Sequence, residues 1–221
     1  RRTMRTLLTF LLATAAAPAV AQTVTPEDQS SSASSSPLFA VHGQATLTVQ
    51  GTPGFRSPYT GTNSLTPDQT QETIDATLYA GVHPWRGGEV WVNPEMDQGF
   101  GLSNTLGVAG FPSAEAYKVG KKNPYFRLQR LFFRQTVNLG GAADDATTTL
   151  NQFAEHRTAN RLVLTLGKFG VGDVFDTNRY AHDPRGDFLN WTAVDAGSFD
   201  YAADAWGYST GAALEWYQGI N

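Results

Sequence analysis

The chain has 221 residues and no cysteine, so disulfides, thiolate chemistry and cysteine-based zinc sites are excluded. Its 16 Lys and Arg against 20 Asp and Glu give a net charge of −4, and without a basic excess no nucleic-acid partner is expected. A mean hydropathy of −0.30 excludes a helical membrane protein. It does not exclude a membrane β-barrel, in which half of each strand faces water.

The first 41 residues differ in character from the rest. Residues 1–21 look like a secretory signal peptide, with a short apolar region at Leu7–Ala17 and a small-residue cleavage motif at Ala19-Val20-Ala21. The apolar region is too short for a membrane-spanning helix, which needs about 20 residues. Residues 22–41 are rich in serine and poor in apolar side chains, which predicts a flexible leader. We therefore expect residues 42–221 to contain the fold.

Segments that alternate between apolar and polar residues recur along residues 42–221, the pattern of a β-strand with two different faces. Six such strands are predicted: His42–Gln50, Gln71–Gly81, Glu89–Asp97, Tyr125–Asn138, Asn160–Phe169 and Ala205–Tyr217. Each apolar face consists mainly of Ala, Leu and Val, while the opposite face carries charged and aromatic residues. A polar lumen inside a membrane barrel requires such an opposite face.

The fourth strand departs from strict alternation. Phe126, Leu128 and Phe132 fit its apolar face, while Arg127 lies on the polar face. The alternation of apolar and polar residues then becomes irregular between Arg130 and Phe133, which predicts a β-bulge there.

The connections between the strands alternate in length. A short turn, His83–Gly88, contrasts with the long loops Gly51–Thr70, Gly99–Asn123 and Gly170–Asp204. Short turns at one end and long loops at the other are typical of bacterial outer-membrane barrels. The connection Leu139–Ala159 breaks this rule, and a short helix within Gln152–Arg161 is one interpretation of it.

The last strand carries aromatic residues near both ends of its predicted outward face. Trp206 and Trp216 are ten residues apart, which is roughly 33 Å of strand at ~3.3 Å per residue. For a tilted strand this matches the apolar band of about 25 Å between the aromatic girdles of a membrane barrel. We therefore expect Trp206, Tyr208 and Trp216 to face outward as girdle residues.

Two long stretches carry a resemblance to a known family. GKFGVGDVFDTNRYAHDPRGDFLNW (Gly167–Trp191) and GLSNTLGVAGFPSAEAYKVG (Gly101–Gly120) resemble the carbohydrate-selective porins of the OprB family, as does the arginine-containing fourth strand. The resemblance implies an all-β, antiparallel up-and-down transmembrane β-barrel of about 16 strands in the outer membrane of a Gram-negative bacterium. It also implies facilitated diffusion of glucose-like sugars into the periplasm, not catalysis. With about 6 strands present, we expect residues 42–221 to be the N-terminal part of an incomplete barrel.

A sugar channel needs hydrogen-bonding groups that replace water around hydroxyls, and charged side chains provide strong directional bonds. The candidate pore-lining residues on the strands are Asp75, Tyr79, Glu89, Trp91, Glu95, Arg127 and Arg161. The candidates in the long loop are Asp176, Asn178, Arg179, Asp183, Arg185 and Trp191. Alternatively, the strand charges only pair with one another, and the loop residues fold the loop through Asx turns and ion pairs.

The expected partners are a small-molecule carbohydrate and outer-membrane lipid, with a homo-oligomer left open. We expect no cofactor. We also expect no metal, because Asp173 and Asp176 lack the Gly and Glu positions of an EF-hand loop. Two rival functions remain. One is a structural or non-selective outer-membrane barrel, and the other is a secreted glycoside hydrolase that uses two loop carboxylates as acid and base.

Overall fold

The computed structural model describes residues 37–106, 113–115, 120–176, 178–197, 203–204 and 206–219. All six predicted strands are present: β1 (Phe39–Thr52), β2 (Gln69–Trp85), β3 (Gly88–Gly99), β4 (Lys121–Ala143), β5 (Thr158–Gly170) and β6 (Tyr208–Tyr217). The predictions for residues 1–21 and for most of the leader lie outside the described residues. Strand β1 begins at Phe39, three residues before the predicted boundary at His42.

The strands form one antiparallel sheet in the order β1-β2-β3-β4-β5-β6, so each strand pairs with its neighbours in the chain. This confirms the all-β, up-and-down arrangement predicted from the sequence. Within the described ranges, the short helical elements are α1 (Gly172–Phe175) and two 3₁₀ segments, Leu102–Thr105 and Trp191–Gly197. Among the described residues, no helix has the length and apolar character needed to cross a membrane.

The apolar face of the sheet is exposed and the polar face is covered. Leu47 on β1 and Leu214 on β6 are 65% and 69% exposed, whereas Asp75 on β2 is 5% exposed. The β1–β2 ladder runs without interruption from Phe39↔Val82 to Thr52↔Gln69, so the alternation is maintained along both strands. The faces predicted for β1, β2 and β5 are therefore confirmed.

A β-bulge lies between β3 and β4, close to the place where the alternation becomes irregular in the sequence. Asn93 pairs with Arg130, but the next residue, Pro94, pairs with Leu128, so Gln129 is an extra residue in β4. Proline has no backbone N–H to donate to the ladder, and within sheets it is found at such irregularities. The prediction of a bulge is confirmed, but the outward position predicted for Phe132 is wrong, because this residue is 3% exposed on the polar face. Because of the extra residue, the later residues of β4 lie on the faces opposite to those that strict alternation predicts.

The connections at one end of the sheet are more regular than predicted. The β2–β3 turn is a two-residue loop, Arg86-Gly87, closed by the pair Trp85↔Gly88, and Gly87 has a φ of +79°, which glycine tolerates. The helix considered within Gln152–Arg161 is absent. Residues 144–157 form a hairpin instead, because backbone pairing of Ala146 with Glu155 uses the groups that a helix would need.

Candidate functional site

Arginines line the polar face along β4 and β5, and each pairs with an acidic residue from another segment. The distances are 3.3 Å for Arg127–Asp204, 2.7 Å for Arg130–Asp173 and 3.1 Å for Arg134–Glu89. Arg161 pairs with Asp144 and lies over the ring of Tyr217. Arg130 and Arg134 follow Arg127 at odd spacings, and residues at odd spacings face opposite sides of a regular strand. The bulge at Gln129 is what allows all three arginines to share one face.

Acidic residues occupy the same face on the neighbouring strands β2 and β3. Asp75 and Asp97 are buried there, and Glu95 accepts hydrogen bonds from Thr77 and from Gln129 Nε2, the latter at 2.5 Å. The polar face therefore has an acidic side on β2 and β3 and a basic side on β4. A solute that moves along this face meets hydrogen-bond acceptors on one side and donors on the other.

The long loop between β5 and β6 reaches the acidic side through Arg185. Its Nη2 lies 3.3 Å from Asp75 Oδ1 and 3.0 Å from Glu115 Oε2, and its Nε donates to Thr46 Oγ1 at 2.9 Å. We call these three residues, Arg185, Asp75 and Glu115, the Arg185 cluster. Arg185 is thus a loop candidate that the structure brings onto a strand candidate, Asp75.

The electrostatics of the Arg185 cluster are unusual at Glu115, which lies in the loop between β3 and β4. Burial raises the pKa of Glu115 to about 7, an effect that the positive charge of Arg185 opposes and the negative charge of Asp75 reinforces. The cluster therefore holds one cation among acidic groups, of which at least one titrates near neutral pH.

Other loop candidates fold the loop itself. Asp176 Oδ1 accepts from the Asn178 backbone N–H at 2.7 Å, and Asn178 Oδ1 accepts from that of Tyr180 at 2.9 Å. Asp183 Oδ1 accepts from the Arg185 N–H at 3.0 Å in the same way. These Asx turns correspond to the alternative considered for this loop.

The two remaining loop candidates do not take part in these turns. Arg179 is exposed, and Trp191 begins the second 3₁₀ segment.

The beginning of the loop is fixed by Asp173 on α1. Arg130 donates to both of its carboxylate oxygens at 2.7 Å, and the Gly170 backbone N–H donates to Oδ2 at 2.9 Å. Burial alone would raise the pKa of Asp173, but the hydrogen bonds and the charge of Arg130 outweigh it and lower the pKa. A two-point arginine–carboxylate pair of this kind fixes orientation as well as charge.

Three strand candidates lie close together near the short-turn end of the polar face. Trp91 is completely buried, and its Nε1 donates to Glu89 Oε2 at 3.1 Å. Gly81, opposite Trp91 on β2, leaves room for the indole, because a Cβ there would lie 2.5 Å from the ring. Tyr79, two residues earlier, donates from its hydroxyl to Gln44 Oε1 at 3.0 Å.

The outward girdle is only partly as predicted. Trp216 is exposed on the apolar face, but Trp206 and Tyr208 turn to the polar face, where the ring of Trp206 lies 3.1 Å from Arg127 Cζ. Tyr208 similarly lies against Arg130. The strand starts only at Tyr208, and the preceding turn is held by Asp204 Oδ1, which accepts from the backbone N–H groups of Trp206 and Tyr208. Strand parity therefore does not apply to Trp206.

Sequence reasoning missed several residues of the polar face. Arg130 and Arg134 were missed because their parity is set by the bulge, and Pro94 inside β3 is the signal that indicates its position. Nothing in the sequence distinguishes Glu115 from other loop acids. Among the described residues, no group of three or more His, Cys, Asp or Glu is arranged to hold a metal ion.

A sheet with an exposed apolar face and a face covered by paired charges has the design of a pore-forming membrane β-protein. A family model described as "Carbohydrate-selective porin, OprB family" matches residues 62–219. The chain therefore belongs to the OprB family of carbohydrate-selective porins, which are transport channels of the Gram-negative outer membrane. Searches of curated proteins and of solved structures gave no significant match.

Proposed function

We propose that the polar face of this sheet is the wall of the path that sugars take, and that the apolar face meets membrane lipid. The observation that carries the proposal is the inverted burial, in which Leu47 and Leu214 are exposed while Asp75, Glu89 and Asn93 are covered. A water-soluble sheet protein has the opposite arrangement, because burying apolar surface is what stabilises it. Lipid contact explains why this chain exposes its leucines.

The chemistry of the polar face suits a neutral solute rich in hydroxyl groups. The Arg185 guanidinium supplies donors, and the carboxylates of Asp75 and Glu115 supply acceptors. Because these groups already pair with one another, a sugar gains little net free energy by replacing one partner. Weak binding of this kind lets a solute enter and leave, as transport requires. Glucose-like sugars, with hydroxyls around a compact ring, are the proposed substrates.

For the location we propose the outer membrane, with residues 1–21 removed as a signal peptide and residues 22–41 as a leader before the barrel-forming part. The family and the cleavage motif at Ala19-Val20-Ala21 support this. Amino-terminal sequencing of the protein purified from outer membranes is expected to begin at Gln22. Cross-linking in the same membranes tests for a homo-oligomer.

Liposome swelling with the purified protein tests the transport function. Sugars are expected to enter faster than amino acids of equal size. Equal rates would contradict selectivity and favour a non-selective or structural barrel. Turnover of a chromogenic glycoside by the same preparation would favour a hydrolase.

The orientation of the two faces has its own test. Leu47→Arg places a cation on the apolar face of β1, where a charge facing lipid costs about 2–4 kcal/mol near the middle of the bilayer. Thr48→Arg, on the polar face of the same strand, is the matched control. We expect Leu47→Arg to reduce folding into lipid vesicles and Thr48→Arg to leave it nearly unchanged. Equal losses in the two variants would contradict the proposed orientation.

A further inference from the structure

The segment that joins β4 and β5 is an ordered hairpin, residues 144–157, which we call the inturned hairpin. The Asp144 N–H donates to the Arg157 carbonyl at 2.9 Å, and Ala146 and Glu155 exchange two backbone hydrogen bonds at 2.9 and 3.2 Å. Thr149 and Gln152 close the tip. The hairpin therefore has a ladder of its own, which explains how this connection can be longer than a simple turn.

The inturned hairpin folds against the polar face of the sheet. Phe153 is 1% exposed, and its ring centroid lies 4.9 Å from that of Trp91 and 5.5 Å from that of His83. The Phe153 N–H donates to Glu89 Oε1 at 3.0 Å. An aromatic side chain buried in this way anchors the hairpin on the sheet through packing.

The tip and the base of the inturned hairpin are held by different strands. At the tip, Arg134 Nη1 donates to the Asn151 carbonyl at 3.0 Å, and Asn93 Nδ2 donates to Asn151 Oδ1 at 2.9 Å. At the base, Arg161 pairs with Asp144. These contacts come from β3, β4 and β5, so the hairpin lies across the polar face instead of hanging from its edge.

The inturned hairpin and the Arg185 cluster cover different parts of the polar face. Asp75 of the cluster and Gly81, the β2 partner of Trp91, are six residues apart on β2. This separation is roughly 20 Å at ~3.3 Å per residue. A solute that follows the polar face past Arg185 must next pass the hairpin.

We propose that the inturned hairpin is a constriction of the sugar path, separate from the Arg185 cluster, and that Asn151 and Phe153 set the size of the sugars that pass it. This inference rests on the proposed function, because it assumes that sugars travel along the polar face. Phe153 fixes how deeply the hairpin sits, and Asn151 at its tip presents an amide to the passing solute. The hairpin thus acts as a specificity-determining element at the end of the path opposite the Arg185 cluster.

The first test compares Phe153→Ala with Phe126→Ala, which removes an equal aromatic group from the exposed apolar face. Both proteins are purified from outer membranes, and swelling rates are measured for glucose, maltose and maltotriose. For Phe153→Ala we expect the rate of maltotriose relative to glucose to rise several-fold, and for Phe126→Ala we expect no change. An unchanged ratio in a folded Phe153→Ala protein would overturn the inference.

The second test does not depend on removing a packed side chain. The chain contains no cysteine, so Asn151→Cys introduces its only thiol, and Thr48→Cys on β1 serves as a labelling control. Modification of Asn151→Cys with a bulky methanethiosulfonate reagent is expected to reduce glucose flux more than twofold. Complete labelling without loss of flux would overturn the inference. If the wild-type protein admits no sugar in the same assay, the proposed function itself fails, and that result is distinguishable from both outcomes above.

Discussion

The guanidinium of Arg185 lies 3.0 Å from Glu115 Oε2 and 3.3 Å from Asp75 Oδ1, so one side chain connects two loops to the second strand of the sheet. Arg185 also contacts Thr46 and Asp183. The position of the loop over the polar face therefore depends on this side chain more than on the Asx turns around it.

Arg185→Ala is expected to release the loop from the polar face. Hydrogen bonds to charged groups contribute about 1.5–3 kcal/mol each, and the substitution also leaves two carboxylates without their cation. Single-channel recording should show a larger conductance, and liposome swelling should show faster entry of large sugars. Arg179→Ala, which removes an exposed arginine from the same loop, is the control and should leave both unchanged.

The raised pKa of Glu115 predicts a pH dependence of the same cluster. Because the pKa rises from its ordinary 4.5 to about 7, the docked arrangement is most stable below about 4.5 and loses this stability as the pH rises through 7. After division by the intrinsic rate at each pH, hydrogen exchange of residues 178–197 should therefore show stronger protection at about pH 5 than at about pH 8. Glu115→Gln keeps the side chain neutral and should abolish this difference in protection. Weaker protection at the lower pH in the wild-type protein would contradict the prediction.

Asp173→Asn is expected to weaken the start of the loop and to free the charge of Arg130. The substitution removes a two-point ion pair with both distances at 2.7 Å, so the protein should lose about 1.5–3 kcal/mol of unfolding free energy. Reversal potentials in a salt gradient should shift toward anion preference. The pKa of Asp173 is lowered, so the wild-type ion pair should persist to below about pH 3.8. Asp176→Asn, which removes a neighbouring charge without an arginine partner in its Asx turn, should not shift the reversal potential.

Two tryptophans on opposite faces should behave differently. Trp206→Ala removes the ring that lies 3.1 Å from Arg127 Cζ, so it should alter sugar flux while leaving membrane insertion nearly intact. Trp216→Ala removes an exposed residue of the apolar face and should reduce the unfolding temperature in detergent with little change in flux. The reverse pattern would show that Trp206 is the girdle residue.

The sequence was sufficient to predict the strands and most of their faces, because alternation is a local property of each strand. Leu47, Leu78 and Leu214 are exposed as the alternation predicts. Phe132 was placed on the wrong face, because a single extra residue in β4 changes the parity of everything after it. The bulge itself was predicted, but the residue at which parity changes depends on pairing with Pro94, which lies on another strand.

The candidate site was less predictable, because its contacts join segments far apart in the chain. Arg185 and Asp75 are separated by 110 residues, and no local pattern links them. Phe153 and Trp91 meet only because the β4–β5 connection folds back on the sheet. The helix considered within Gln152–Arg161 failed for the same reason, since its backbone groups bond to residues on the other side of the hairpin.

Gln129 has a consequence for how this strand tolerates mutation. Deleting this one residue would bring β4 into continuous register with β3, because Leu128 already pairs with Pro94 and Arg130 with Asn93. The side chains on both sides of the bulge would keep their faces, so Arg130 and Arg134 would stay on the polar face. A loss of three nucleotides at this position should therefore be far less harmful than the same loss in a regular part of the strand, where it would turn the later side chains to the opposite face.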